Sequence, residues 1–79
     1  MLTVVLLGRL ADLGGAPSLT LAAPLDWTGL IAALPDALAE ALADARTRVA
    51  LNGALLADKT GLQAGAGDEI ALLPPVSGG

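Results

Sequence analysis

Apolar residues recur along this chain with two different periods, and the change between them marks out its elements. Leu2 to Leu7 is a short continuous apolar run holding β-branched Val4 and Val5, which predicts a strand covered on both faces. Gly8 ends it, and Leu10 to Gly15 reads as a turn. Leu19-Thr20-Leu21 then alternates apolar with polar between Pro17 and Pro24, predicting a second strand. The link between the two is too short for a crossover, so they should pair antiparallel. From Thr28 the spacing lengthens: Leu30, Ile31, Leu34, Leu38 and Leu42 follow at intervals of three and four, while Asp36, Glu40 and Asp44 fall on the other side. That is an amphipathic helix, with Thr28 or Asp26 able to accept from a free N–H of its first turn. Pro35 inside a helix would cost about 3 kcal/mol. The expected form is therefore a short helix through Leu34, then a second helical segment with Pro35 at its first position, where the missing N–H does no harm.

Beyond the helix, Val49 and Leu51 face Leu55 and Leu56 across Asn52-Gly53, the dipeptide suited to the two positive φ angles of a type I′ hairpin. Gly61 to Gly67 reads as a loop with Leu62 pinned inward, and Glu69 to Leu73 as a last strand stopped by Pro74-Pro75. The order ββαβββ predicts an α+β domain in which one helix covers one face of a mixed sheet. If the last strand returns beside the first, those two are central and parallel. Along the last strand Ile70 and Leu72 go to one face and Ala71 and Leu73 to the other. Only one face can pack on the helix, so an exposed apolar patch is expected on the other, large enough to mark a partner surface.

Composition removes most other functions. Leu (18) and Ala (17) dominate the 79 residues, and the chain is 54% hydrophobic with net charge -4, too apolar to remain disordered. Gly and Pro interrupt the uncharged stretches before any reaches the roughly 20 apolar residues of a membrane span, and the first residues lack the basic start and cleavage site of a signal peptide. A cytoplasmic location is expected. Cys and His are absent, which removes disulfides, thiolate nucleophiles, imidazole bases and the usual zinc ligands. The four cations, Arg9, Arg46, Arg48 and Lys59, form no stripe among eight carboxylates, and Phe and Tyr are lacking, so nucleic acid has neither charge nor stacking surface to bind.

Chemistry can enter at the end of the chain. Leu73-Pro74-Pro75-Val76-Ser77-Gly78-Gly79 finishes on a carboxylate that is ionised at neutral pH and able to attack the α-phosphorus of ATP. Two glycines let backbone thread a narrow channel. Six residues from Pro74 can span up to about 20 Å when extended, and the two prolines stiffen the root. A frayed, solvated end would share the Gly-Gly but has little use for the Pro-Pro.

The stretch from Gly67 to Gly79, GDEIALLPPVSGG, resembles the C-terminus of the small, sulfur-carrier subunit of molybdopterin synthase. Val5 to Gly14, VLLGRLADLG, is similar to that family's first strand and turn, and Val49 to Gly53, VALNG, to its central hairpin, so the likeness runs along the whole chain. The resemblance implies a ubiquitin-like β-grasp fold, with residues 1–73 as the globular domain and 74–79 as an extended tail. It also implies a non-catalytic carrier within a sulfurtransferase complex. A ubiquitin-activating-type adenylating enzyme would spend ATP to make the Gly79 acyl adenylate, and a sulfurtransferase would convert it to a thiocarboxylate. That group would donate sulfur to cyclic pyranopterin monophosphate within the large subunit, two carriers sitting on a large-subunit dimer. Leu73, Pro74, Pro75, Val76, Ser77, Gly78 and Arg9 would contact partners, and the carrier itself would hold no cofactor or metal. Departures from the family pattern are Leu6, Leu7 and Leu73 where aromatics are usual, Gly8 for a frequent Ala, and Ala54 after the hairpin Asn-Gly in place of Glu.

Three other readings stay open on the sequence: a carrier for thiazole synthesis, a modifier joined to lysines, and a β-grasp interaction domain with an inert tail. For single residues, Trp27 is assigned to packing, Asp68-Glu69 to a hydrated turn, and Arg46 and Arg48 to solvent at a strand's flank. Arg9 suits either a partner carboxylate or solvent at a strand's end.

Overall fold

Strand β1 (Leu2–Leu6) begins the chain, and its neighbours decide everything that follows. It pairs antiparallel with β2 (Ser18–Leu21) on one side and parallel with the last strand, β7 (Glu69–Leu73), on the other. Strand β4 (Arg48–Leu51) lies antiparallel against the far side of β7 and turns back into β5 (Ala54–Leu55), giving the sheet order β2-β1-β7-β4-β5. The computed structural model that shows this describes residues 1–75. Helices α2 (Trp27–Ala33) and α3 (Asp36–Ala43) cover one face, with the core made by Leu2, Val4 and Leu6 of β1, Ile70 and Leu72 of β7, and Leu30, Leu34, Leu38 and Leu42 from the helical layer. This is the expected mixed sheet of a β-grasp domain, with β1 and β7 central and parallel.

The hairpin is as predicted: Asn52 has φ 51° and Gly53 φ 86°, the pair of positive values a type I′ turn demands. Asn52 also reaches across the sheet. Its Nδ2 donates to Asp68 Oδ1 at 3.1 Å, and its Oδ1 accepts from Glu69 N at 2.9 Å. Asp68 in turn accepts from Gly65 N at 2.7 Å, so one carboxylate fixes the turn that launches β7. Asp26, not Thr28, caps α2, accepting from Gly29 N at 2.8 Å.

Several expectations need correction. Strand β1 is covered on one face only: Leu2, Val4 and Leu6 are buried, Thr3 is exposed and Val5 is half-buried, because the chain supplies no layer for the other face. The segment read as a turn is helix α1 (Arg9–Gly14). It buries Leu10 and comes close to the core at Gly14, where a β-carbon would overlap Leu6 Cδ1 and stand 3.3 Å from Leu38 Cδ2. Pro35 is the cap of α3 and not its first residue: its backbone is extended (ψ 148°) and its carbonyl accepts from Ala39 N at 2.9 Å. The Gly61–Gly67 loop contains β6 (Gln63–Ala64), which pairs with β3 (Leu25–Asp26) as a separate two-stranded ladder. Leu62 is buried as expected.

The C-terminus of α3 leaves carbonyls that must find partners. Thr47, itself buried, donates from Oγ1 to Ala41 O at 2.8 Å and from its N–H to Asp44 O at 3.0 Å. Lys59, in the 3₁₀ turn Lys59–Gly61, donates from Nζ to Asp44 O at 2.6 Å and to Thr47 O at 2.9 Å. Burial pushes its pKa down, and its ammonium lies 5.8 Å from the centroid of the Trp27 ring, itself packed on the core. One amine thus ties the helix end, the start of β4 and the 3₁₀ turn together. Lys59→Met keeps the stem and removes both donated bonds, and is expected to cost about 1–3 kcal/mol, read as a lower thermal midpoint.

Hydrogen bonds hold three carboxylates below the ordinary Asp range. Asp44 falls to about 2 through Arg46, Asp58 is lowered by Thr60, and Asp68 is lowered by Gly65 N–H and then by Asn52. Groups depressed by folding add stability above their unfolded pKa, and that stability is lost as pH falls through the folded value. Unfolding monitored from pH 6 down to 2 should therefore show wild-type stability dropping below about pH 4, and Asp68→Asn should drop less steeply. At pH 7, Asn52→Ala gives up two hydrogen bonds and places Ala at positive φ, for an expected loss of about 1–2 kcal/mol in denaturant titration.

Candidate functional site

The candidate reactive residue, Gly79, and its neighbours Val76, Ser77 and Gly78 lie outside the described residues. What the structure describes is the platform from which that tail departs. Strand β7 is held on both sides, by β1 and by β4, and Ile70 and Leu72 are 0% exposed beneath it. The last ladder bond to β1 runs from Leu7 N to Leu72 O at 3.2 Å. Pro74 cannot donate to a strand, so pairing stops there and the backbone leaves the sheet from its middle.

Pro74 and Pro75 are half-buried. Pro74 rests on Gly8, whose φ is +55° and where an added β-carbon would stand 3.1 Å from Pro74 Cγ. Gly8 thus serves both the turn into α1 and the seat of Pro74. Arg9 follows it at the start of α1, exposed on the same end of the molecule.

Beside this root lies the face of the sheet that no helix covers. Register brings Val5, Ala71 and Ala50 into one row, with Leu55 at its edge opposite Ala50. Leu73 and Arg48 form the next row toward the root, and Leu7 continues the outward side of β1. Leu55 is 60% exposed and Leu7 41%, while the small Ala50, at 7%, lies sunk between its neighbours. The other end of this face is polar, carrying Thr3, Thr20 and Glu69. The apolar patch expected from strand alternation is therefore present, and it adjoins the tail root. Leu7, Leu55 and Arg48 were not singled out by the sequence as site residues. Alternation placed Leu73 outward, but only the register across strands shows which side chains stand next to it.

Electrostatically, two of the four cations are committed internally. Arg46 pairs with Asp44 at 3.0 Å, and Lys59 is held by backbone carbonyls. Among the described residues, neither Arg9 nor Arg48 has a carboxylate within 4 Å or a side-chain hydrogen bond, and no group of three His, Cys, Asp or Glu could hold a metal ion. Among the described residues, no helix is long and apolar enough to cross a membrane. A depression lined by Pro24, Leu25, Asp26, Gly29, Gln63 and Ala64 lies at the β3–β6 ladder, where Asp26 is already occupied as a helix cap.

Comparison with known proteins follows this geometry. Ten chains of solved structure match the chain, whereas none of the curated proteins does. SAMP1, small archaeal modifier protein 1, from Haloferax volcanii superposes with a TM-score of 0.75 at 29% identity, covering 99% of this chain and 98% of that one. A complex of subunits 1 and 2 of the molybdopterin-converting factor from Helicobacter pylori 26695 contains a match with a TM-score of 0.67 at 27% identity, covering 99% and 97%. The small archaeal modifier protein 1 of Methanosarcina acetivorans, at 23% identity and a TM-score of 0.75, supports the fold alone. A model of the ThiS family matches residues 4–79, and the chain belongs to that family of ubiquitin-like sulfur carriers.

Proposed function

We propose that the chain is the sulfur-carrier subunit of a molybdopterin synthase. The observation that carries this reading is the placement of Pro74-Pro75 at the exit of the central strand, beside a sheet face that no helix covers, in a sequence that runs on to Gly78-Gly79. A carrier needs a rigid body to be recognised and a slender reactive end to be inserted, and the two meet here. The likeness to a protein found in a complex of molybdopterin-converting-factor subunits supports the assignment.

In this reading the Gly79 carboxylate attacks the α-phosphorus of ATP on a ubiquitin-activating-type enzyme, and pyrophosphate leaves. The terminal sulfur of a sulfurtransferase persulfide then attacks the acyl carbon and AMP departs, and a second thiol cleaves the resulting acyl disulfide, leaving a thiocarboxylate and a disulfide between the sulfurtransferase and that thiol. The large subunit binds the open sheet face, and the tail carries sulfur to the pterin. Proton transfers belong to the partners, since the carrier has no His or Cys to perform them. A protein-modifier role would use the same adenylate but deliver Gly79 to a lysine, and the likeness to SAMP1 favours keeping that reading second.

Deleting Gly79 or adding residues after it should abolish molybdopterin formation in a reconstituted synthase while leaving the unfolding midpoint unchanged. Unchanged product would exclude the carrier role, and lysine-linked conjugates of a tagged chain in cells would favour the modifier. Leu55→Asp and Leu7→Asp, both at exposed positions, should weaken binding to the large subunit at least about tenfold in calorimetric titration without unfolding the domain.

A further inference from the structure

The open face is not purely apolar at the end where the tail leaves. Arg48 opens β4 with its neighbour Val49 in the core, so alternation sends Arg48 to the uncovered side, and register sets it opposite Leu73 as the last pair before Pro74. Its neighbours in the chain, Thr47 and Val49, are neutral, and no carboxylate lies within 4 Å among the described residues. Arg9 stands on the other side of the root, following Gly8 and its contact with Pro74. Of the eight carboxylates, Asp58 lines the same shallow depression as Arg48, together with Lys59, and Asp12 lies one turn along α1 from Arg9, but neither forms an ion pair with these arginines; Asp36 and Glu40 are on α3, and Asp68 and Glu69 are at the opposite end of β7. In a chain of net charge -4, the two cations that form no ion pair among the described residues thus both stand by the tail root.

This placement constrains what can cover the face. A partner that buries Leu73 and Leu7 must also bury much of Arg48, which stands directly opposite Leu73. Taking a guanidinium out of water without a partner charge is strongly unfavourable, whereas a carboxylate can pair with it through two parallel hydrogen bonds. Six residues, Pro74 to Gly79, can span up to about 20 Å when extended, which assigns Arg48 a role at the mouth of a receiving channel and not at the reacting centre. We infer that the protein surface receiving the tail carries an acidic rim, and that Arg48, with Arg9 across the root, is the residue that docks against it and sets the tail's direction of insertion. The inference rests on the carrier reading and adds the charge and position of the surface that recognises it.

The test is the affinity of the full chain for the molybdopterin synthase large subunit of the same organism, measured at about 0.05 M and about 0.5 M NaCl, where screening differs severalfold in range. Wild-type binding should weaken with salt. Arg48→Glu should weaken it about tenfold or more at the lower salt and remove most of the salt dependence, with Arg48→Gln in between. Glu40→Arg, on the helical side, should stay within about twofold of wild type. Far-ultraviolet spectra and thermal midpoints of the variants should match wild type, since all these side chains are exposed. Wild-type affinity and salt dependence in Arg48→Glu, with Leu55→Asp still impaired, would overturn the acidic rim and leave the carrier reading standing. A wild-type chain that does not bind the large subunit would overturn both. Self-association of the chain, reversed by Arg48→Glu, would overturn the inference in favour of a second copy on this face.

Discussion

The parallel pairing of β1 with β7 is the constraint from which the rest of the molecule follows. It joins the first strand of the chain to the last, across a closure of more than sixty residues, and loop closure of that length is entropically costly before any contact forms. The return lies in the two apolar pairs of the shared face, Val4 beside Ile70 and Leu6 beside Leu72, all nearly or wholly inaccessible beneath the helices. With those pairs in register, β7 becomes a central strand, β4 closes its other side, and the point where the chain stops pairing is set in the middle of the sheet. The Asn52–Asp68 link fixes the start of β7 in the same way that Pro74 fixes its end.

Much of this was legible in the sequence because its signals are local or strongly periodic. Asn52-Gly53 declares its turn by backbone preference alone, the three- and four-residue spacing of Leu30 to Leu42 declares a helix, and Pro35 divides it. Other features were not legible for physical reasons. Helix α1 has six residues and buries only Leu10, too short a stretch to establish a period against its glycines. Strands β3 and β6 have two residues each and exist because tertiary packing brings them together. The continuous apolar run of β1 suggested two covered faces, whereas Val5 and Leu7 point to the face that no helix covers.

The candidate site divides along the same line. The candidate end, Gly79, rests on composition and the terminal motif alone and lies outside the described residues. Its surroundings depend on register, which the sequence of any one strand does not contain. Only pairing places Ala50 beside Ala71, Leu55 at the end of that row, and Arg48 against Leu73. The small side chains in the row keep the face shallow, and Arg48, without an ion pair among the described residues, gives its edge a sign. A one-sided sheet in a small domain thus combines a packed core with an open apolar face, and Pro74 leaves the sheet beside that face.

In the proposed carrier role the domain presents Gly79 as the bearer of sulfur, and that role can be read from the mass of the chain itself. The protein should be isolated from cells in which adenylation and sulfur transfer operate but the pterin acceptor is missing. The account predicts a chain bearing sulfur in place of one oxygen of the Gly79 carboxylate, reversed by supplying the acceptor and large subunit. A chain recovered wholly as the unmodified carboxylate under those conditions would contradict it.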